Sequence, residues 1–251
     1  MSMPDSTHRA FRVLASYAEG RAGVTLILDG ALPAQPGQFA MVWLPGIEER
    51  PFTLMDDAPV SITVADIGPF THALCALRAG ARVWLRGPFG HGFELQSGRS
   101  LLIGGGSGAA ALTLLAKLAR SRGQEVYAGL GARNADLLML PWRFEELGCR
   151  LTLATDDGSR GYHGTVLAAV ESSLRSDTAQ SVYACGPEPM LRGLVCRTTE
   201  LGLPCWVSLE RVMRCGLGVC GSCACGDRLV CADGPVFSAG DALQMLSCEG
   251  S

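Results

Sequence analysis

The 251-residue sequence has little charge and few aromatic residues. Only 18% of the residues are charged, 6% are aromatic, and the formal net charge is −3. This balance gives no strong electrostatic field, which argues against nucleic acid or an anionic membrane surface as a partner. Hydrophobic residues make up 48% of the chain, enough to bury a sizeable core, so intrinsic disorder is excluded.

Long apolar runs and targeting signals are also missing. One long uncharged stretch, Ser100 to Ala116, is short for a spanning helix and contains a glycine triplet near its start. The first residues, Met1 to Arg9, show no apolar signal core followed by a small-residue cleavage site. We therefore expect a cytoplasmic protein without a membrane span.

No acid–base pattern for catalysis is visible in the sequence. The chain has four histidines, and none belongs to a convincing His–carboxylate or Ser–His–Asp arrangement. We expect all four to be surface or structural residues, and we assign no catalytic side chain.

Cysteine is plentiful but unevenly distributed. Of eleven cysteines, only Cys75 and Cys149 lie in the first 180 residues, whereas five fall between positions 215 and 231. A disulfide scaffold is disfavoured in the cytoplasm, where thiols stay reduced. The crowding near the C-terminus therefore points to another kind of chemistry.

Four of these cysteines have the spacing of an iron–sulfur site. Cys215-x4-Cys220-x2-Cys223-x7-Cys231 begins with the three-cysteine run of plant-type [2Fe–2S] proteins. The interleaved glycines let the loop fold tightly and aim backbone N–H groups at the sulfur atoms. Structural zinc is the weaker alternative, because two cysteine knuckles separated by a dozen or more residues are missing. Cys225 is an alternative to Cys231 as the fourth ligand.

Hydrophobic patterning divides the chain into three parts. In residues 1–98, short alternating runs broken by glycine, proline and aspartate predict a small antiparallel β-barrel, with one short helix at His72 to Arg78. In residues 99–203, strands such as Ser181 to Cys185 alternate with helices such as Asp136 to Leu147, which predicts a doubly wound parallel α/β sheet. Residues 204–251 are loop-rich and too short to form much of a core, so a bound metal centre would supply the missing stability.

Two further motifs suggest phosphate or ring binding. Leu101-Leu102-Ile103 is followed by Gly104-Gly105-Gly106-Ser107-Gly108 and a helix, a strand–turn–helix with room for a phosphate. Arg50-Pro51-Phe52-Thr53 offers a cation, an aromatic ring and a hydroxyl group. Each motif is weak by itself, since glycine turns and surface arginines often have only structural roles.

Taken in order, these features resemble the ferredoxin–NAD(P)H reductase superfamily, a flavin barrel followed by a nicotinamide domain. The segments that carry the resemblance are Pro36 to Phe39, Arg50 to Thr53, Gly68 to Thr71, Gly87 to Gly90, Gly104 to Gly108 and Cys185 to Met190. The C-terminal part, Glu210 to Phe237, closely resembles the electron-transfer subunits of B-type dihydroorotate dehydrogenases, and Thr155 to Ser159 also fits that group.

The resemblance implies an electron relay through NAD, FAD and a [2Fe–2S] cluster. It implies an FAD-binding barrel (1–98), an NAD-binding α/β domain (99–203) and a cluster segment (204–251). The FAD site would comprise Arg50, Pro51, Phe52, Thr53, Gly68, Thr71, Gly87 and Phe89. The NAD site would comprise Gly104, Gly105, Gly106, Gly108, Asp156 and Cys185. The implied partner is a catalytic dihydroorotate dehydrogenase subunit that carries FMN, in a heterotetramer of two plus two chains.

Other functions remain open at the level of sequence. Related reductase subunits serve hydrogenases, sulfur reductases and NADH-dependent ferredoxin:NADP oxidoreductases, and the motifs separate these poorly. A zinc-stabilised binding module without catalysis is the alternative from a different functional class.

Overall fold

Two seven-stranded sheets organise the chain in the computed structural model, which describes residues 6–175 and 179–247. Residues 1–5, the first part of the Met1 to Arg9 segment, lie outside the described residues. None of the helices in the described part of the chain is long and apolar enough to cross a membrane.

The first sheet is antiparallel and draws only on the N-terminal part of the chain. Its spatial order is β4-β3-β7-β1-β2-β6-β5. The strands are β1 (Arg9–Glu19), β2 (Gly23–Leu28), β3 (Phe39–Leu44), β4 (Glu48–Thr53), β5 (Asp56–Asp57), β6 (Val60–Ala65) and β7 (Arg82–Phe89). Contacts between β4 and β6 bring the two ends of the sheet together, so it curls into the expected barrel.

Alternating side chains form the interior of this barrel. On β2, Leu26 and Leu28 are fully buried, and they pack with Val42 of β3 and Leu85 of β7 in one apolar cluster. The alternating runs of this region predict five strands, and β1, β2, β3, β6 and β7 contain them except for Ala81. The predicted strands are Phe11 to Leu14, Val24 to Leu28, Phe39 to Leu44, Ser61 to Val64 and Ala81 to Leu85. The short helix lies earlier than predicted: α1 spans Pro69–Cys75, because Pro69 at its first turn favours helix initiation there.

The second sheet has the order β11-β10-β9-β8-β12-β13-β16, and all its pairs are parallel except the last. Its strands are β8 (Ser100–Gly105), β9 (Val126–Ala132), β10 (Arg150–Thr155), β11 (Tyr162–His163), β12 (Ser181–Cys185), β13 (Cys205–Ser208) and β16 (Val236–Ser238). A two-stranded ribbon outside both sheets comprises β14 (Ala224–Cys225) and β15 (Arg228–Leu229).

Helices cover both faces of the second sheet, which confirms the doubly wound architecture. One apolar cluster joins the sheet to α2 (Ala110–Ser121) and α3 (Pro141–Glu146). The other joins it to α4 (Val166–Arg175), α5 (Glu188–Leu201), α6 (Val230–Asp233) and α7 (Ala239–Ser247). The helix predicted over Asp136 to Leu147 is shorter in the structure, because Pro141 starts it after a left-handed residue, Leu140 (φ 64°).

The C-terminal part contributes more regular structure than its loop-rich sequence suggests. The strands β13 and β16 extend the second sheet, so that sheet uses residues on both sides of position 203. The helix α7 packs against α5, with Ala242 and Leu246 buried at the contact. Between these two strands, residues 209–235 leave the sheet, and this stretch contains the five crowded cysteines.

A buried carboxylate joins the barrel to the second domain. Glu19, at the end of β1, is only 3% exposed. Its Oε1 accepts hydrogen bonds from Thr25 Oγ1 (2.7 Å) and Trp142 Nε1 (3.0 Å), and its Oε2 accepts one from the Leu140 N–H (3.0 Å). Leu140 directly precedes α3, and Trp142 lies in its first turn. This carboxylate therefore fixes the start of α3 against the barrel.

Replacing Glu19 by alanine is expected to lower the free energy of unfolding by about 3 kcal/mol, because three donors lose their acceptor in a buried place. Urea unfolding of both proteins measures the difference. The matched control is Glu125→Ala, which removes an exposed carboxylate paired with Arg150 and should cost less than about 0.5 kcal/mol. Equal losses in the two variants would show that Glu19 contributes no more than a surface charge.

Candidate cofactor and metal sites

The three segments predicted to bind flavin meet at one end of the barrel. In the register of the sheet, Thr53 on β4 and Phe89 on β7 both pair with Phe39 on β3, from its two sides. The Phe52 ring lies 6.3 Å from the Phe70 ring at the start of α1, measured between centroids. The structure therefore brings Arg50 to Thr53, Gly68 to Thr71 and Gly87 to Phe89 together.

Local sequence explains this geometry. Pro51 has no N–H to donate, and it lies on β4, an edge strand of the sheet, where a missing donor is tolerated. Gly87 adopts φ +130°, and a Cβ there would lie 3.2 Å from the carbonyl oxygen of Phe39. These residues allow β4, β3 and β7 to end close together around a common space.

Two polar side chains of this region, Arg50 and Thr71, differ in whether they are free to contact a ligand. The Arg50 side chain is half exposed and pairs with Glu48 at 2.9 Å between Nη2 and Oε1, so it remains accessible to an anionic ligand. Thr71 Oγ1 accepts hydrogen bonds from the N–H groups of Ile67 and Gly68, both at 3.0 Å. Arg50 is thus placed to reach a phosphate, whereas Thr71 fixes the turn that begins α1.

The glycine turn lies at the point where the order of the second sheet reverses. β8 has β9 on one side and β12 on the other, and ligands of open α/β sheets bind at such a position beyond the carboxyl ends of the strands. A 3-10 turn, Gly106–Ala109, follows β8 directly, and Cys185 ends β12 beside it. The two predicted nicotinamide motifs are therefore adjacent in space.

Most glycines of this turn are close to protein rather than to open space. A Cβ at Gly108 would lie 2.5 Å from the carbonyl carbon and oxygen of Cys185, and one at Gly105 would lie 2.6 Å from Pro187 Cδ. A Cβ at Gly104 would lie 2.8 Å from the Cα of Ala109. Gly106 alone in this turn would carry its Cβ into open space, and it adopts φ +54°. The turn thus packs tightly on the Cys185 loop and opens at Gly106.

Asp156 follows β10, at the same edge of the sheet as the glycine turn, because both strands are parallel. Its side chain is exposed. The neighbouring Asp157 instead shapes the turn: its Oδ1 accepts hydrogen bonds from the Ser159 hydroxyl (2.6 Å) and N–H (2.9 Å), which lower the pKa of this carboxyl group. Of the two, Asp156 is the one free of this turn and able to meet a ribose.

Cys185 faces a residue that the sequence reasoning did not single out. Its Sγ lies 4.0 Å from Oε1 of Glu210. Burial raises the pKa of the Cys185 thiol strongly, and the Glu210 charge raises it further. Burial also raises the pKa of Glu210. Cys185 therefore stays a neutral thiol, and no local sequence signal links two residues 25 positions apart.

The crowded cysteines form two pairs. Cys215 and Cys220 interact through hydrogen bonds. Cys231 donates its N–H to Cys223 Sγ at 3.4 Å, and their thiols also interact. Further N–H groups point at sulfur: Leu217 N lies 3.4 Å from Cys215 Sγ, and Gly218 N lies 3.2 Å from Cys231 Sγ. The structure brings the four predicted ligands into one loop, with sulfur-directed N–H groups as the glycine pattern indicated.

The thiols of this loop differ in acidity. Hydrogen bonds from Ser222 lower the pKa of Cys220 to about 6. Burial opposes ionisation of Cys215, but backbone N–H groups outweigh it and lower its pKa. Burial raises the pKa of Cys231 to about 12. Cys220 therefore ionises more readily than Cys231, whose proton a bound metal would have to replace.

Cys225 has different partners. Its buried Sγ lies 3.6 Å from the carbonyl oxygen of Met245 on α7, and Arg211 donates to it from Nη2 at 3.4 Å. It therefore faces the helix layer and not the two thiol pairs.

This donor set fits a binuclear cluster better than a single zinc ion. In the described part of the chain, no three His, Cys, Asp or Glu side chains converge on one point suited to a metal ion. Two thiol pairs in one loop could supply two ligands to each of two metal atoms, as [2Fe–2S] clusters require. Tetrahedral zinc would need all four sulfur atoms around one centre.

Comparisons with known proteins agree with this geometry. A family model, the iron-sulfur cluster binding domain of dihydroorotate dehydrogenase B, matches residues 210–242, which include all four cysteines. A probable dihydroorotate dehydrogenase B (NAD(+)) electron transfer subunit of Methanocaldococcus jannaschii is 38% identical over 224 residues, covering 88% of this chain and 86% of the relative. The chain belongs to the family of dihydroorotate dehydrogenase B electron transfer subunits.

Other members and solved structures extend the comparison. The Thermococcus kodakarensis protein of the same description is 42% identical over 202 residues, covering 80% of this chain and 84% of the relative. A solved chain from the NADH-dependent reduced ferredoxin-NADP oxidoreductase superposes with a TM-score of 0.82, at 28% identity over 98% of this chain and 94% of that one. The Amycolatopsis cytochrome P450 reductase GcoB superposes with a TM-score of 0.64, at 26% identity over 78% and 67% of the two chains. The resemblance and the three-part fold are thus confirmed.

Proposed function

We propose that this chain relays electrons between NAD(H) and a catalytic dihydroorotate dehydrogenase subunit, as a flavin and iron–sulfur oxidoreductase subunit of pyrimidine biosynthesis. The observation that carries the proposal is the pairing of four cysteines in one loop, joined to a reductase fold with two candidate cofactor sites. When bound, FAD would supply the conversion between the two-electron chemistry of nicotinamide and the one-electron chemistry of an iron–sulfur cluster.

The residues have distinct roles in this relay. The barrel, residues 1–98, holds FAD through Arg50, Pro51, Phe52, Thr53, Gly68, Thr71, Gly87 and Phe89. The α/β domain, residues 99–203, holds NAD with Asp156, Cys185 and the glycine turn of Gly104, Gly105, Gly106 and Gly108, in which Gly106 opens to free space and the other three shape the turn against protein. The segment 204–251 holds the [2Fe–2S] cluster through Cys215, Cys220, Cys223 and Cys231. The Cys185 thiol, which ends β12 beside the NAD turn, would lie near the nicotinamide ring.

A second subunit completes the reaction. Nothing in the chain resembles a site for orotate, so oxidation of dihydroorotate takes place on a partner that we expect to carry FMN. We propose an assembly of two subunits of each kind in the cytoplasm, with neither nucleic acid nor a membrane as a partner.

The test is an anaerobic preparation of the full chain in which iron, sulfide and flavin are quantified. We expect about two iron atoms and one FAD per chain, and NADH oxidation with artificial electron acceptors. Dihydroorotate-dependent reduction of NAD should require added catalytic subunit. A colourless, zinc-containing protein would refute the relay, and turnover of dihydroorotate by the isolated chain would refute the subunit role.

A second candidate is a reductase subunit of an NADH-dependent ferredoxin–NADP oxidoreductase, favoured by the superposition over nearly the whole chain at 28% identity. Both candidates share the cofactors and differ in the partner. Co-purification of a dihydroorotate dehydrogenase subunit supports the first, and co-purification of a ferredoxin-dependent subunit supports the second.

A further inference from the structure

Arg86 is a buried arginine at the junction of the barrel and the cysteine loop. It lies on β7, pairs in register with Met41 of β3, and is only 7% exposed. A buried guanidinium group is costly unless its charge and its donors are satisfied. Its partners therefore indicate why the charge is kept at this position.

Glu49 and the cysteine loop satisfy Arg86 together. Arg86 Nε and Nη2 donate to the two carboxylate oxygens of Glu49, both at 2.7 Å. Arg86 Nη1 donates to the carbonyl oxygen of Cys215, also at 2.7 Å, across 129 positions of sequence. His8 contacts the same carboxylate at 2.7 Å between Nε2 and Oε1. The planar fork of arginine thus joins a barrel carboxylate to the first cysteine of the loop.

The residue after Cys215 packs on the same two strands. Gly216 adopts φ +70°, and a Cβ there would lie 3.1 Å from Met41 Cγ and 3.3 Å from Phe89 Cδ2. The Arg86 guanidinium also lies 5.3 Å from the centroid of the Phe89 ring. The backbone at Cys215 and Gly216 is therefore held from two sides, by a charged hydrogen bond and by close packing.

We propose that Arg86, held in place by Glu49, is a positioning residue for the iron–sulfur cluster that fixes the Cys215 backbone on the barrel and sets the cluster's reduction potential. The inference rests on the proposed function, because it takes Cys215 as a ligand. A positive charge favours the reduced, more negative form of a cluster, and a negative charge opposes it. Glu49 lies behind Arg86 and offsets part of the guanidinium charge.

This arrangement makes an opposite-sign prediction for the midpoint potential. In the anaerobically purified full chain, Arg86→Met should shift the potential of the cluster to a more negative value, because a positive charge is lost. Glu49→Gln should shift it to a more positive value, because the opposing charge is lost. Potentiometric titration followed by electron paramagnetic resonance measures both. Loosening of the loop alone would move the two variants in the same direction.

A second measurement, the rate of iron release, tests whether Arg86 anchors the Cys215 backbone. Iron release to a chelator should be about tenfold faster in Arg86→Met than in the wild type, which corresponds to about 1.4 kcal/mol in the barrier. Arg86→Lys keeps the charge but loses the fork, so it should release iron faster while its potential stays close to that of the wild type. Arg82→Gln, on an exposed position of the same strand, is the matched control and should behave as the wild type in both measurements.

The outcomes separate the two proposals. A wild-type chain without iron and sulfide would overturn the proposed function, and this inference with it. A wild-type cluster combined with wild-type potentials and release rates in the Arg86 and Glu49 variants would overturn the positioning role alone. If Arg86→Met does not fold, the other two variants still test the positioning role. Arg86→Lys does so through the rate of iron release, and Glu49→Gln does so through the sign of the shift in midpoint potential.

Discussion

Replacing Cys231 by serine is expected to abolish the iron–sulfur cluster, whereas the same change at Cys225 should leave it in place. Cys231 belongs to the thiol pair with Cys223 and accepts the N–H of Gly218. Cys225 instead contacts Arg211 and the carbonyl oxygen of Met245. A serine hydroxyl is a poor ligand for iron that prefers thiolate, so the loss at position 231 should be nearly complete.

Iron and sulfide content and the visible absorption of the cluster measure this difference. Cys225→Ser is the matched control, since it makes the same atomic change within ten residues of every predicted ligand and also in a buried place. FAD content should be unchanged in both variants, because the predicted FAD residues belong to the barrel and both substitutions lie in the cysteine loop. Cluster loss in Cys225→Ser with retention in Cys231→Ser would exchange the two cysteines in the ligand set.

Replacing Gly108 by alanine is expected to reduce the rate of flavin reduction by NADH about 100-fold. The new Cβ would lie 2.5 Å from the carbonyl group of Cys185, roughly 1 Å closer than ordinary contact, so the glycine turn and the Cys185 loop must move apart. A displacement of about 1 Å between groups that align a hydride donor and acceptor costs on the order of 100-fold in rate.

Stopped-flow reduction of bound FAD by NADH provides the measurement. Gly240→Ala is the control, because its Cβ would meet only Ser238 Oγ at 3.9 Å, and it should keep the wild-type rate. Chemical reduction of FAD by dithionite should be unaffected in both variants. An unchanged NADH rate in Gly108→Ala would show that the contact between the two loops does not control the nicotinamide site.

Local sequence patterns predicted the architecture well, because both sheets are built from periodic segments with clear turn residues. Strand β12 was predicted at Ser181 to Cys185 and lies there in the structure. The cysteine spacing likewise predicted a metal loop, since its ligands are neighbours in the chain. Whether each predicted residue contacts its cofactor stays a prediction, and the variants above test it.

Contacts between distant parts of the chain left no such pattern. Arg86 reaches Cys215, and Glu19 reaches Trp142, across more than a hundred positions each. The glycine turn illustrates a related difficulty. Its glycines indicate that another group lies close to the backbone of the turn. A phosphate and the backbone of Cys185 would both require a residue without a Cβ at Gly108. Only the fold shows that protein backbone fills this particular space.

The path of the C-terminal chain has a consequence for the metal-free protein. Strand β13 ends at Ser208 and β16 begins at Val236, and these two residues are paired partners in the same sheet. The cysteine loop therefore begins and ends at paired positions of the sheet, and α7 packs against α5 after it. Loss of the metal should make the cysteine loop more mobile and leave the pairing of β13 and β16 intact. Cells could thus make the folded reductase first and deliver its iron and sulfide afterwards.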